Sequence, residues 1–304
     1  MQSSFAVPRR RVWSSRGIAP RLLVLPAVVG LLAFAIYPFV YLLFLSASKS
    51  LLGKTFQEWV GFDNYRNALK DEVFTNALVR SVIFAIPISL IQIVLGLGIA
   101  LLLYGSIRGG HLIRTLILLP LMTPPIMVAT AWRLILNPTG GLLNTVLDGL
   151  GLIDKPISIL GSSRWAFPAI GLADTWQWTP FVVLLAFAAL LTQPEDIREA
   201  ALVDGATSWT VFWTVTLPLI LPGLAAILLI RMIMAFKVFD LVYVMTGGGP
   251  GFDTTIGTFE IYRVALQQFN VGYAAAQTIL FGLLVGLVTL PFVLIRDWAV
   301  KNWS

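Results

Sequence analysis

The side chains that carry most enzymatic chemistry are nearly missing from this sequence. It has no cysteine and one histidine, His111. Thiolate nucleophiles and disulfides are therefore excluded, a His/Cys metal site is close to excluded, and a Ser-His-Asp triad has a single ring to draw on. What remains is charge in unusual surroundings. Asp174, Arg231, Lys237 and Asp240 stand inside long apolar runs, where an ionised side chain costs about 2.5–3.5 kcal/mol at mid-membrane on insertion scales. Such groups must face a bundle interior or water. Lys237 and Asp240, at i and i+3 on one helical face, are spaced to pair with each other or to line a polar pathway. Trp176, Gln177, Trp178 and Tyr243 add the aromatic faces and amide that stack on and hydrogen-bond sugar rings; interfacial anchoring accounts for the tryptophans equally well. Asp174, Trp178, Lys237, Asp240 and Tyr243 are thus the candidates for a substrate pathway.

A second concentration of polar groups lies between Gln193 and Pro222, where Glu195, Asp196, Glu199 and Asp204 face one base, Arg198. Pro194 suits a first helical position, and the acids after it favour the positive end of the helix dipole. Ile197, Ala200 and Ala201 share a face, Gly205 ends the helix, and Ser208 is placed to cap a second one carrying Trp209, Phe212 and Trp213. Two short helices at an elbow fit either a docking surface or an ordinary connection with interfacial tryptophans. The glycine cluster Thr246–Gly251 lacks the Gly-Lys-Ser/Thr ending of a phosphate-binding loop and reads as a helix-ending turn. The chain carries no nucleotide motif of its own.

The elements that must position these groups are membrane spans. Of the 304 residues, 58% are apolar and 12% charged, against about 25% charged in a soluble domain. Six runs approach or exceed the length of about 20 residues that crosses a bilayer: Arg21–Ser48, Asn76–Tyr104, Leu112–Leu136, Trp165–Leu191, Leu217–Met245 and Tyr273–Ile295. Unpaired backbone groups are not tolerated in hydrocarbon, so these runs are helices and the fold class is all-α, polytopic. The first run is too long for a signal-peptide core and has no clean cleavage site, so it is read as a retained span.

Arg9, Arg10, Arg11, Arg16 and Arg21 precede the first span with no acid among them, which places the amino terminus in the cytoplasm. Arg108 in the second loop, and Arg296 and Lys301 near the carboxyl terminus, agree. The net charge of +6 belongs to this pattern and not to nucleic-acid binding. The acidic elbow falls inside by the same count. Acids have little weight in orientation, so another reason is needed for them, such as a basic partner. Among the outer loops, 49–75 balances its charges, and a short interfacial helix is expected near Leu142–Leu150, ended by Gly151. Another is expected from about Thr258 to Phe269, and Arg133 is expected to snorkel at the outer end of its span. No repeat divides the chain, which is partitioned as a cytoplasmic segment 1–20, a six-helix transmembrane domain 21–298 with a cytoplasmic loop 192–216, and a cytoplasmic tail 299–304.

Glu199-Ala200-Ala201-Leu202-Val203-Asp204-Gly205-Ala206, followed by Leu217-Pro218, resembles the EAA motif of permease subunits of binding-protein-dependent ABC importers. Val215 stands where that family often has isoleucine. Asn137-Pro138, Gly141-Leu142-Leu143-Asn144, Trp178 with Pro180-Phe181, Phe239-Asp240, Thr246-Gly247-Gly248-Gly249-Pro250 and Gly272-Tyr273-Ala274-Ala275-Ala276 are similar to its carbohydrate-importing branch, the maltose, glycerol-3-phosphate and trehalose type. The resemblance implies the type I importer permease fold in a bacterial inner membrane. It further implies that Glu199, Ala200, Ala201, Asp204, Gly205, Leu217 and Pro218 couple to an ATPase. The implied partners are a second, non-identical permease, two ATP-binding subunits that hold ATP and magnesium, and an extracytoplasmic solute-binding protein. The chain itself would hold no cofactor and catalyse no reaction, and its solute would be a sugar, polyol or sugar phosphate. An ion-coupled secondary carrier is the competing class. It needs membrane carboxylates, of which only Asp174 and Asp240 are on offer, and commonly an inverted repeat, which is lacking.

Overall fold

The structure, a computed structural model, describes residues 18–105 and 110–303. Arg9, Arg10, Arg11, Arg16 and Arg108 lie outside the described residues, as do the side chains of Arg21, His111 and Glu195. The chain runs through α1 (Ile18–Ser46), a hairpin of β1 (Ser48–Leu51) and β2 (Lys54–Trp59), a short α2 (Asp63–Lys70) and a long α3 (Glu72–Gly105). Then come α4 (Gly110–Met122), α5 (Pro125–Ile135), α6 (Leu142–Gly149) and α7 (Ala166–Leu191). An elbow follows, made of α8 (Glu195–Val203) and α9 (Ser208–Val211), and a π turn (Phe212–Thr216) feeds it into α10 (Leu217–Phe236). The last elements are α11 (Asp240–Met245), α12 (Gly257–Tyr262) with a π extension (Arg263–Gln267), and α13 (Val271–Trp303). Among the described residues five helical stretches are long and apolar enough to cross a membrane, or six if α4 and α5 count as one bent span.

α7 is the central post. Of its most apolar stretch 44% is buried, against 6% in α1 and 11% in α13. It sits close to α3 because small residues meet large ones: a Cβ on Gly96 would fall 2.5 Å from Val182, and one on Gly171 would fall 2.5 Å from Ile88. Without a hydrophobic drive between helices in lipid, such close backbone approach is what holds spans together. Val182, Val183, Ala186 and Leu190 of α7 build one buried cluster with Ala100, Ile220 and Leu224 toward the α8 end. Ala169, Ile170 and Ala173 build another with Val128, Ala129, Leu241 and Val242 toward the opposite end.

Three expectations are corrected here. The third span, expected as one helix, is two helices bent by 97°. Pro124 and Pro125 are adjacent, and neither has an N–H for the helix ladder; Pro124 takes an extended cap conformation (φ −55°, ψ 137°) from which α5 starts afresh. The fifth span stops at Phe236 and resumes at Asp240. No proline or glycine marks that break. It is held by tertiary contact, since Thr258 donates its hydroxyl to the Val238 carbonyl at 2.6 Å, satisfying an acceptor that the broken ladder releases. The fold is also not purely α: residues 48–59 of the first long loop pair as an antiparallel hairpin.

The expected short helices are present. α6 ends at a Gly151 with φ +66°, and the Leu152 N–H reaches back to the Leu147 carbonyl at 2.9 Å, which closes its last turn. The glycine cluster after α11 is a turn, with Gly247 and Gly248 at φ +60° and +86° and the hydroxyls of Thr255 and Thr254 donating to the carbonyls of Gly248 and Gly249. Arg133 is exposed, and its Nη1 donates to the Val244 carbonyl at 3.0 Å, tying α5 to α11.

Candidate functional site

Asp174, Gln177 and Trp178 stand at i, i+3 and i+4 on α7 and therefore share a face. That face looks at both interrupted spans. Together with Pro125, Lys237 and Asp240 these residues line a cavity of about 200 Å3. Interrupted helices are the usual way a membrane protein brings polar backbone to mid-depth, where it is tolerated only if it lines a cavity.

The wall of the cavity is held by an ion pair and a bridging amide that together join three spans. Asp174 Oδ2 accepts hydrogen bonds from Gln92 Nε2 on α3 at 2.9 Å and from Arg231 Nη2 on α10, and Arg231 Nε donates in turn to Gln92 Oε1. All three side chains are buried. The guanidinium also lies 5.5 Å from the centre of the Trp178 ring, within cation–π range. Burying a charge is tolerable only when it is paired and its remaining hydrogen bonds are met, and here both conditions hold. Gln177 extends the bracing, donating Nε2 to the Thr123 carbonyl at the α4–α5 break at 3.1 Å. Its Oε1 has no hydrogen-bond partner among the described residues.

Of the five residues proposed for the pathway, the structure places Asp174, Trp178, Lys237 and Asp240 around this one cavity. Tyr243 is outside it, exposed and stacked at 5.4 Å on Phe239, which does line the cavity. Lys237 and Asp240 form no ion pair among the described residues. The i, i+3 spacing brings side chains together only along a continuous helix, and the chain breaks between them. The partner that matters is Arg231, which sequence reading noted only as one more charge in a span. It is separated from Asp174 by 57 positions, so no local spacing could reveal the pair; the one available signal was that one buried acid and one buried base needed each other.

The second candidate region is the elbow. α8 begins after Pro194, which acts as its N-cap and not its first residue. At its end Gly205 takes φ +85°, its N–H bonding to the Leu202 carbonyl and that of Ala206 to the Ala201 carbonyl, both at 3.1 Å. The second helix is capped by Thr207 and not Ser208: the Thr207 hydroxyl oxygen accepts the Thr210 N–H at 3.2 Å. Gln193 and Arg198 hold the elbow on the bundle. Gln193 donates to the Thr216 carbonyl at 3.0 Å, and the Arg198 guanidinium lies 5.7 Å from the Tyr104 ring at the end of α3.

Seven residues were assigned to coupling, and the elbow sorts them. Glu199, Ala200, Asp204 and Gly205 are exposed; Ala201, Leu217 and Pro218 are half-buried where α8 and the start of α10 meet the bundle. Ile197, Val203 and Trp209 are also exposed, so the outer side of the elbow presents apolar groups among its acids.

At the opposite end of the bundle, Arg263 binds the buried Glu260 carboxylate through two hydrogen bonds of 2.8 and 2.7 Å. That contact raises the arginine pKa above its ordinary value.

Residues 92–303 match the family model described as "Binding-protein-dependent transport system inner membrane component". The trehalose/maltose transport system permease protein MalF of Thermococcus litoralis is 35% identical over 279 residues, covering 92% of this chain and 90% of that protein. The trehalose transport system permease protein SugA of Mycobacterium tuberculosis is 33% identical over 277 residues, covering 90% and 86%. The fold is similar to that of a solved chain from a bacterial ABC transporter involved in the import of the acidic polysaccharide alginate, with a TM-score of 0.82, 24% identity, and coverage of 95% of this chain and 99% of the other. With a family match that takes in the cavity, the elbow and every span from α4 onward, and relatives above 30% identity along at least 90% of its length, the chain belongs to the inner membrane components of binding-protein-dependent transport systems.

Proposed function

We propose that this permease subunit contributes one half of the membrane path of an ATP-driven importer for a sugar or a related polyhydroxyl solute, a polyol or sugar phosphate included. The observation that carries the reading is the cavity between α7 and the two interrupted spans, where a tryptophan face, an amide oxygen without a partner, and the side chains of Lys237 and Asp240 surround one space. That mixture suits stacking on a sugar ring and bonding to its hydroxyls. Relatives named for trehalose and maltose transport support the same solute class.

On this reading the chain crosses the membrane six times with both termini in the cytoplasm, α4 and α5 together making the third span. A second, homologous permease completes the path, and an extracytoplasmic binding protein delivers the solute at the α5/α11 end. Two ATP-binding subunits, which hold ATP and magnesium, dock on the elbow through Glu199, Ala200, Ala201, Asp204 and Gly205, while Leu217 and Pro218 pass the movement into α10. Hydrolysis belongs to those partners and transport to this chain. A ligand shifts a two-state protein only by binding the two states unequally, so ATP acts here by favouring one seating of the elbow over another.

The test is uptake into vesicles. With both permeases, the ATP-binding subunits and the binding protein present, labelled trehalose or maltose should accumulate only when ATP is supplied on the elbow's side. Uptake by this chain alone under a proton or sodium gradient would replace the reading with that of an ion-coupled carrier.

A further inference from the structure

The end of α1 and the β-hairpin carry exposed aromatic side chains for which the transport path has no use. Tyr41 meets Phe56 edge-on at 5.5 Å, Phe44 packs on Trp59 at 6.3 Å, and Tyr37 stacks on Tyr41 at 6.3 Å. Strict alternation along a strand would send Phe56 and Trp59, three residues apart, to opposite faces. They share a face because β2 is bulged. Lys49 opposes Glu58 and Leu51 opposes Lys54, so β2 has surplus residues there, and Phe56 takes φ +56°. Bulges re-aim side chains, and a phenylalanine at positive φ is uncommon. Phe269, which accepts the Leu52 N–H on its carbonyl at 2.8 Å, has φ +59°. Two unfavourable backbone positions thus hold two exposed phenylalanines, at 45% and 54% exposure, along one edge.

The direction of the hairpin gives the edge a meaning. Phe56, nearer the tip, meets Tyr41; Trp59, farther from it, meets Phe44, which lies nearer the end of α1. The tip therefore points back along α1, and it carries the exposed Leu51 and Leu52. α1 is itself almost wholly unburied and has a mean hydropathy of 2.4 over Leu22–Ser46, a surface made for lipid. Counted from Leu22 at a rise of 1.5 Å per residue, a core of about 30 Å ends near Tyr41. Tyr41 and Phe44 then stand at headgroup depth, where tyrosine and tryptophan concentrate, and the tip is level with them or below. Gly272 fixes the other side of the hairpin, since only a residue without Cβ lets the Ser48 carbonyl lie so close to α13.

We propose that Leu51, Leu52, Phe56, Trp59 and Phe269 form an interfacial anchor seated in the phospholipid leaflet on the hairpin's side, contacting acyl chains and headgroups and not protein. The inference is independent of the solute and of which leaflet this is.

The chain has no cysteine, so Leu52→Cys, Phe269→Cys and, on the charged side of the hairpin, Glu58→Cys can each place one nitroxide in this subunit of the complete importer in phospholipid vesicles. The signal of the unsubstituted importer treated with the same label is subtracted. In the Leu52→Cys and Phe269→Cys importers, dissolved oxygen should collide with the label severalfold more often than a water-soluble nickel chelate does; in Glu58→Cys the order should reverse. Chelate-dominated collisions at both apolar sites would overturn the anchor. So would exclusion of both reagents, which means protein covers the edge, or shielding of these labels on adding the binding protein. Two sites on separate elements keep the test decisive if one variant fails to assemble.

Discussion

Asp174 is the residue on which the most depends. Its carboxylate is buried and answered by Arg231 and Gln92 from two other spans. Asp174→Leu alone leaves a buried guanidinium without its anion and should destabilise the subunit by about 3–5 kcal/mol, whereas Asp174→Leu combined with Arg231→Leu removes both charges and should recover much of that; thermal unfolding in detergent measures both. Lys237 and Asp240 should behave otherwise, because they face the cavity without bonding to each other. Lys237→Met and Asp240→Asn should each lower uptake at little cost in stability, and exchanging the two charges should not restore it; recovery in the exchanged variant would make them a pair after all. At this scale sequence reading was half successful. It found the charged residues, since an ion in an apolar run is conspicuous, but the one pair it could offer was Lys237 with Asp240, since spacing presumes a continuous helix and Arg231 is remote from Asp174 in the chain.

Among the elements, the elbow is the clearest case of a backbone requirement. Gly205 adopts φ +85°, and a Cβ added there would meet nothing within 4 Å. Substitution therefore acts through backbone strain and not through crowding, at a cost of about 1–2 kcal/mol. Gly205→Ala should weaken coupling and Gly205→Asp should do so more strongly, with uptake falling while the protein stays in the membrane; normal uptake by Gly205→Asp would remove the elbow from the coupling path. The long helices were legible because lipid leaves apolar runs no other choice. Their interruptions were not equally so. Pro124 and Pro125 announced the 97° bend, and a long apolar stretch concealed it. The gap after Phe236 has no local signal at all, because Thr258, twenty positions beyond Val238, is what sustains it. The hairpin was missed since Lys54-Thr55-Phe56-Gln57-Glu58-Trp59 is fully exposed and bulged, which erases the alternation that marks a half-buried strand.

Taken as a whole, the molecule is a set of interrupted spans bound to uninterrupted ones. α7 packs against α3, α5, α10 and α11 through buried side chains, Arg133 ties α5 to α11, and the elbow is pinned to the ends of α3 and α10 by Arg198 and Gln193. Sequence alone indicated what the elbow and the cavity are made of; that the cavity opens near the middle of α7 while the elbow sits at its end emerges only in three dimensions. α3 has 34 residues, which makes it a rod of about 50 Å. Tyr104, under Arg198, is at one end; Asp71, just before the other end, accepts the Tyr273 hydroxyl at 3.1 Å. A rod of that length converts angle into distance: tilting by about 5° about one end moves the other by about 4 Å, close to the rise of one helical turn. A nudge at the elbow too small to disturb its hydrogen bonds would therefore arrive at the far side as a displacement comparable to the width of a sugar hydroxyl and its bond, with α3 serving as a lever.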